Sequence, residues 1–218
     1  MTSMNDHGKS EWEALYKQGK YNCISPYTQP FSFLSRYRGN DAQGEKLLEV
    51  GCGSGHNLVF AKWALGYDVY GIDQSESGIE MAKKRFEKHN LKYEFLGCAN
   101  MVDLDFEDSF FDVVIDRGAI QHNSYKTLKK IISEVYRVLK TGGLFYSDVT
   151  SDMHPISEHS NKGDYYLNKI GIWHYFSKSE ILELYDKFEM LQWYHTIRQD
   201  LPNNKISSAS YHMEMRKK

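Results

Sequence analysis

Short runs of consecutive apolar residues alternate along the 218-residue chain with segments whose apolar positions recur every three or four residues. The runs predict buried strands, and the segments between them predict helices. The predicted strands cover residues 46–50, 68–72, 92–98, 111–115 and 144–149, and the predicted helices cover residues 57–65, 75–89 and 124–140. This alternation predicts an α/β fold with a doubly wound, mostly parallel sheet, in which ligands lie beyond the carboxyl ends of the strands.

The N-terminal part of the chain departs from this alternation. Ser10 and Glu13 have the spacing of a capping box and predict a helix over Glu11–Gln18. The residues that follow are rich in turn formers. We interpret residues 1–44 as a lid or cap on a single domain that spans residues 1–218.

The C-terminal part departs from it as well. The aromatic-rich residues 151–176 are interpreted as an insertion that covers a substrate. Ser177 and Glu180 form a second capping box and predict a helix. Two strand-like runs follow, at residues 190–197 and 206–215, with a polar turn between them. We therefore expect the sheet to have seven strands and to end in an antiparallel hairpin.

Composition narrows the class of protein. The formal net charge is −2, which disfavours nucleic acid as a partner because an extended phosphate backbone attracts a basic surface. Three scattered cysteines favour a reducing compartment. The N-terminus lacks a signal-peptide core, and no run approaches the roughly 18 apolar residues of a membrane span. We expect a soluble, cytoplasmic protein with no membrane partner.

The motif LLEVGCGSG, residues 47–55, ends a predicted strand with one acid and three glycines. Glycine tolerates positive φ and lets a ligand approach the backbone, here at the start of a helix. A dinucleotide-binding fingerprint would place its last glycine at position 56, where this chain has His56. Asp73 ends the next strand, where an acid can accept hydrogen bonds from both hydroxyls of a ribose. These residues predict a nucleoside-binding crevice that does not require a pyrophosphate.

Four motifs in this order resemble those of class I S-adenosylmethionine-dependent methyltransferases of the small-molecule type. The motifs are LLEVGCGSG, VYGID, FDVVIDRGAIQH and RVLKTGGLFYSD. The resemblance runs from about residue 46 to about residue 215. It implies S-adenosyl-L-methionine as cofactor, S-adenosyl-L-homocysteine as product, and transfer of a methyl group to an oxygen or nitrogen of a small metabolite. The scattered histidines have no metal-ligand spacing, so no metal site is predicted.

The resemblance also implies which residues contact the cofactor. Glu49 and the glycine loop would face its amino-acid part, Asp73 would hold the ribose, and Gln74 would lie along the adenine. Asn100 stands where the family usually has an acid that binds the adenine amino group, which is a departure. The full implied set is Glu49, Gly51, Cys52, Gly53, Gly55, Asp73, Gln74, Asn100, Met101 and Asp116.

His122 is the candidate general base, because it follows the fourth predicted strand and the unperturbed pKa of histidine suits proton abstraction near neutrality. The alternative is a histidine hydrogen-bonded near the start of the next helix. The candidate substrate contacts are Tyr16, Tyr21, Arg117, His154 and Trp173. For each a structural alternative stays open: core packing for the aromatic residues, an ion pair for the arginine, and a solvated loop position for His154.

Three other functions remain open from the sequence. The first keeps the cofactor but takes RNA or protein as substrate. The second is a module that binds S-adenosylmethionine without catalysis. The third, a nicotinamide dehydrogenase, is disfavoured by His56 and by the terminal hairpin. The sequence is compatible with a monomer or a homodimer.

Overall fold

A single mixed sheet forms the centre of the molecule. The computed structural model describes residues 7–39, 41–155, 164–167 and 171–218. Its strands are β1 (Lys46–Val50), β2 (Asp68–Asp73), β3 (Phe95–Cys98), β4 (Phe111–Arg117), β5 (Leu139–Thr150), β6 (Asp164–Leu167), β7 (Gly171–His174), β8 (Phe188–Asp200) and β9 (Lys205–Lys217). Seven of them pair in the order β3-β2-β1-β4-β5-β9-β8. The first five strands run parallel and β8 and β9 run antiparallel, which confirms the predicted fold class.

Helices cover both faces of this sheet. They are α1 (His7–Lys17), α2 (Thr28–Arg38), α3 (His56–Phe60), α4 (Glu76–Lys88), α5 (Tyr125–Val138) and α6 (Lys178–Leu184). Apolar side chains of α2, α3 and α4 pack on one face, and those of α5 and α6 pack on the other. None of the described helices combines the length and the apolar character that crossing a membrane requires.

The molecule has one hydrophobic core on each face of the sheet. Successive side chains of each central strand point alternately into these two cores. In β1, Leu47 belongs to the core under α2, α3 and α4, whereas Leu48 and Val50 belong to the core under α5 and α6. Val113 and Val114 of β4 divide in the same way. Strands buried on both faces read as continuous apolar runs, which is why the sequence revealed them.

The predicted capping box at the N-terminus is wrong. Helix α1 already includes His7, three residues before Ser10, and Ser10 Oγ donates to Glu11 instead. Glu13 does not cap the start of α1. Its carboxylate instead accepts hydrogen bonds from the hydroxyls of Ser75 and Ser77. The capping box of Ser177 and Glu180 is present as predicted.

Several element boundaries also differ from the predictions. The helix predicted over 57–65 changes after Phe60 into a π-helical turn over Ala61–Leu65. The third strand begins at Phe95 instead of residue 92. The helix predicted to reach residue 140 ends at Val138, and Leu139 already pairs with Phe111. At Phe95 and Leu139, pairing with a neighbouring strand sets a boundary that the local pattern leaves open.

The predicted cover, residues 151–176, leaves and rejoins the sheet at one point. Ser151 and Phe176 form a bridge beside the end of β5, and Phe176 N–H donates to the Thr150 carbonyl at 2.9 Å. Between them β6 and β7 form an antiparallel pair. Residues 156–163 and 168–170 lie outside the described residues.

Candidate active site

A cavity of about 220 Å³ lies beyond the carboxyl ends of β1, β2 and β4. The strand order reverses between β1 and β4, so the connections after these strands leave in opposite directions and open a crevice. Most of the predicted site residues line it, namely Tyr16, Tyr21, Glu49, Gly51, Cys52, Gly53, Asp73, Gln74, Met101, Arg117, His122 and Trp173. Four do not: Gly55, Asn100, Asp116 and His154. The wall also contains residues that sequence reasoning did not assign: Cys23, Tyr27, His56, Asn57, Gly118, Ala119 and Gln121.

The glycine loop gives the cavity its floor. Gly53 has a φ of +50°, and a Cβ there would lie 2.1 Å from the Tyr16 hydroxyl oxygen. Gly55 faces away, because a Cβ there would lie 2.8 Å from Ala82 Cβ on α4. Gly53 therefore keeps the backbone bare toward the cavity, whereas Gly55 lets the loop pack closely on α4.

Asp73 holds the loop in place and still faces the cavity. Its Oδ2 accepts the Gly53 N–H at 2.8 Å, and its Oδ1 accepts the Ser75 N–H at 2.9 Å. Burial raises the pKa of Asp73, and these backbone hydrogen bonds oppose that rise. Each carboxylate oxygen has a second lone pair, so Asp73 can also accept hydrogen bonds from a ligand.

Glu49 presents an unsatisfied acceptor to the cavity. Its Oε1 accepts a hydrogen bond from Asn57 Nδ2 at 2.6 Å, and its Oε2 has no partner among the described residues. Burial raises the pKa of Glu49 to about 8. A buried acceptor without a partner is costly, and a cationic amine would satisfy it. The residues present thus fit the amino-acid end of the implied cofactor.

Asp116 lies behind the wall instead of in it. Its Oδ1 accepts the N–H groups of Ala119 and Ile120, at 2.8 and 3.1 Å, and its Oδ2 accepts the Ser147 hydroxyl at 2.8 Å. Burial raises the pKa of Asp116 to about 7. These bonds shape the turn after β4, and that turn carries His122 into the cavity.

Asn100 and His154, the other two predicted site residues outside the cavity wall, make local contacts instead. Asn100 is exposed, and its side-chain oxygen accepts the Val102 N–H at 3.2 Å, while the next residue, Met101, is buried in the wall. His154 lies in the insertion with its ring 5.9 Å from that of Tyr175. Within the described residues, no group of three His, Cys, Asp or Glu side chains could hold a metal ion.

His122 stands between two tryptophan rings. Its ring centroid lies 4.9 Å from those of Trp12 and Trp173, both in edge-to-face geometry. Its Nδ1 lies 3.3 Å from the Ile172 carbonyl oxygen. A carbonyl only accepts, so Nδ1 carries the proton and Nε2 presents a lone pair. Burial lowers the pKa of His122 to about 4, which makes it a good hydrogen-bond acceptor but a weak base.

Helix α1 closes one side of the cavity and is fastened to α4 by Glu13. Its carboxylate accepts hydrogen bonds from the hydroxyls of Ser75 and Ser77, both at 2.6 Å, and from the Ser77 N–H at 3.0 Å. The positive end of α4 lies at these residues and favours a negative charge. The fastening holds Trp12 and Tyr16 over the glycine loop.

Arg117 forms the opposite wall. Its guanidinium lies 3.9 Å from the centroid of the Tyr27 ring and 3.4 Å from both carboxylate oxygens of Asp148. The predicted ion pair of Arg117 is therefore made with Asp148, not with the adjacent Asp116. The Arg117 side chain, which is 29% exposed, nevertheless remains in the wall.

The central part of the chain is similar to known methyltransferases. Residues 47–143 match the family model described as "Methyltransferase domain". A phthiotriol/phenolphthiotriol dimycocerosates methyltransferase of Mycobacterium tuberculosis is 34% identical over 111 residues, which are 50% of this chain and 39% of the relative. An eEF1A lysine and N-terminal methyltransferase of Bos taurus is 30% identical over 158 residues, which are 67% of this chain and 22% of the relative. The chain thus spans well under half the length of either relative.

The fold is shared with a solved structure over almost its whole length. This structure is the 1,6-didemethyltoxoflavin-N1-methyltransferase of Burkholderia thailandensis with bound 1,6-didemethyltoxoflavin and S-adenosylhomocysteine. The TM-score is 0.75 at 18% identity, and the match covers 96% of this chain and 86% of that one. At this identity the likeness concerns the fold.

Replacing Glu13 by Gln should loosen α1. The hydrogen bonds to a charged acceptor are lost, so the protection of α1 amides from hydrogen exchange at pH 7 should fall about tenfold. Glu80→Gln on the exposed face of α4 removes only a surface pair with Lys83 and is the matched control. The hydrogen bonds hold the pKa of Glu13 near 2, so its contribution is present above about pH 4.5 and disappears as the pH falls toward 2. Equal protection of α1 in both variants would refute the fastening.

Replacing Glu49 by Gln should change how stability depends on pH. Between the ordinary pKa of 4.5 and about 8, the unfolded chain has lost the Glu49 proton while the folded protein keeps it. Stability therefore falls as the pH rises through this window. In urea unfolding without ligand, Glu49→Gln should become progressively more stable than the unsubstituted protein from pH 5 to pH 8. Parallel pH profiles for the two proteins would contradict a raised pKa at Glu49.

Proposed function

We propose that the protein transfers a methyl group from S-adenosyl-L-methionine to an oxygen or nitrogen of a small-molecule metabolite, because residues 47–143 match a methyltransferase domain and the fold is shared with a methyltransferase solved with S-adenosylhomocysteine. One observation carries the proposal. The same cavity is lined by Glu49, whose Oε2 has no partner among the described residues, by the bare glycine loop and by the rings of Trp12 and Trp173.

The cofactor-binding residues follow from this arrangement. In the proposal, Glu49 receives the amine of the cofactor, Gly51, Cys52 and Gly53 accommodate its amino-acid part, and Asp73 accepts from its ribose. Gln74 and Met101 line the same cavity and would lie along the adenine. The bound cofactor supplies an activated methyl group on a sulfonium, so the protein's task is to position the acceptor.

The enclosure of the cavity favours a small acceptor. Helix α1 and strand β7 approach each other through the contacts of His122 with Trp12 and Trp173. A closed aromatic wall fits a compact, partly apolar molecule better than a folded polymer. The similar structure with bound 1,6-didemethyltoxoflavin supports this choice, whereas the relative named for eEF1A methylation keeps a protein substrate as the second candidate.

His122 would orient the acceptor in this proposal. Its Nε2 lone pair can accept a hydrogen bond from an N–H or O–H of the substrate and align that atom for in-line attack. Its low pKa makes full proton abstraction by His122 unfavourable at neutrality. The proposed role is therefore that of an acceptor that positions the nucleophile and takes its proton only as transfer proceeds.

Calorimetric titration with S-adenosylmethionine, S-adenosylhomocysteine and NAD tests the cofactor. Both sulfur nucleosides should bind and NAD should not. A following screen should transfer labelled methyl groups to small metabolites, with purified translation factors and RNA as parallel acceptors. Binding of NAD alone would contradict the proposal, and transfer only to protein or RNA would replace the small-molecule acceptor. Cofactor binding with no transfer to any acceptor would favour a binding module.

His122→Ala should slow transfer to the acceptor found in that screen by about tenfold to 100-fold, because the orienting hydrogen bond is lost. The affinity for S-adenosylhomocysteine should stay within about twofold, since cofactor contacts are assigned to other residues. His89→Ala at the exposed end of α4 is the control and should leave both quantities unchanged. An unchanged rate in His122→Ala would assign this residue a structural role.

A further inference from the structure

The cavity wall holds hydrogen-bond donors without partners among the described residues. Trp173 Nε1 and both ring nitrogens of His56 are buried and make no hydrogen bond within the described part of the chain. The same holds for Arg117 Nε, which lies near Asp148 without hydrogen-bond geometry. All three side chains line the cavity. Unpaired buried donors are costly, and oxygen atoms of a ligand would satisfy them.

Arg117 has capacity left for such a ligand. Its two contacts with Asp148 measure 3.4 Å, whereas strong guanidinium–carboxylate bonds measure roughly 2.7–2.9 Å. One face of the guanidinium is taken by the Tyr27 ring, which also contacts His56 with ring centroids 5.3 Å apart. Arg117, Tyr27 and His56 therefore form one continuous patch of the wall.

The position of Arg117 is fixed from behind. Asp148 is 4% exposed, and its Oδ2 lies 3.3 Å from His212 Nδ1. The Tyr146 hydroxyl lies 3.0 Å from the same nitrogen, and the Thr196 hydroxyl lies 2.7 Å from His212 Nε2. This buried network holds the carboxylate that orients the guanidinium, so the donors of Arg117 are in place before a ligand arrives.

The nearby acid does not oppose a negatively charged ligand. Burial raises the pKa of Glu49 to about 8 without ligand, and in the proposed function the cationic amine of the cofactor balances its carboxylate once the cofactor site is filled. Burial lowers the pKa of His56 to about 4, so its ring is neutral and offers one N–H donor. The positive charge of Arg117 is matched by Asp148, and the unpaired donors of the patch remain for an anion.

We propose that Arg117, His56 and Trp173 bind an anionic group of the methyl acceptor, a carboxylate or a phosphate, while the flat part of the acceptor lies against the aromatic wall. This inference rests on the proposed function, because it assigns a chemical class to the acceptor of that site. The carboxylate of the cofactor is the other possible source of the same chemistry. A test must therefore fill the cofactor site first.

Phenyl phosphate, with phenol as its uncharged counterpart, is a suitable probe pair. Each is titrated calorimetrically into protein saturated with S-adenosylhomocysteine. Phenyl phosphate should bind at least about tenfold more tightly than phenol, since a charge-assisted bidentate contact adds to the shared ring contacts. Arg117→Gln should remove this preference while the affinity for S-adenosylhomocysteine stays within about twofold.

Two further variants distinguish binding at this site from a general effect of charge. Trp173→Phe keeps the aromatic ring but lacks the N–H, and should reduce the preference for phenyl phosphate about threefold. Arg85→Gln removes a positive charge that lies near His56 but outside the cavity wall, and should leave the preference intact. Thermal unfolding of each variant confirms that it is folded.

The outcomes distinguish this inference from the function on which it rests. Equal binding of the two probes, or no binding of phenyl phosphate up to about 10 mM, would overturn the anion site while leaving the methyl-transfer proposal intact. Loss of S-adenosylhomocysteine binding in Arg117→Gln would assign the patch to the cofactor carboxylate and would also overturn it. Failure of the unsubstituted protein to bind S-adenosylhomocysteine would overturn both.

Discussion

The reversal of strand order between β1 and β4 is the constraint on which the site depends. Parallel strands send their connections off at the carboxyl edge, and at the reversal those connections diverge and leave a crevice. Glu49 from β1 and Arg117 from β4 stand on its two sides. The sheet thus places an acid with a free oxygen and a cation with spare donors in one cavity, and each keeps hydrogen-bonding capacity that the described part of the protein does not use.

Closure of this cavity comes from segments far apart in the chain. Glu13 holds α1 to the start of α4 through hydrogen bonds. The Trp12 ring of the same helix contacts the His122 ring, and the His122 ring contacts the Trp173 ring of β7. These side chains join α1, the turn after β4 and β7 to one another. A wall that encloses a ligand in this way excludes water and strengthens the polar contacts of that ligand.

The sequence was most informative where a residue's role is local or periodic. Apolar runs revealed β1, β2, β4 and β5 because both faces of these strands are buried, and the glycines of residues 47–55 indicated the edge of the sheet at which the cavity lies. The sequence did not predict the roles of residues whose partners are distant in the chain. Glu13 had the spacing of a capping residue, but Ser75 and Ser77, more than 60 positions away, use its carboxylate. His56 was noticed only as a missing glycine, since nothing local indicates that it meets Tyr27.

A crystal structure of the protein with S-adenosylhomocysteine would decide whether this crevice is the methyl-transfer site. We expect the amine of the ligand on the free oxygen of Glu49, its ribose on Asp73, and its sulfur facing the space between His122 and Arg117. A ligand bound elsewhere on the molecule, or one that lies in the cavity but leaves Glu49 without a partner, would contradict that assignment.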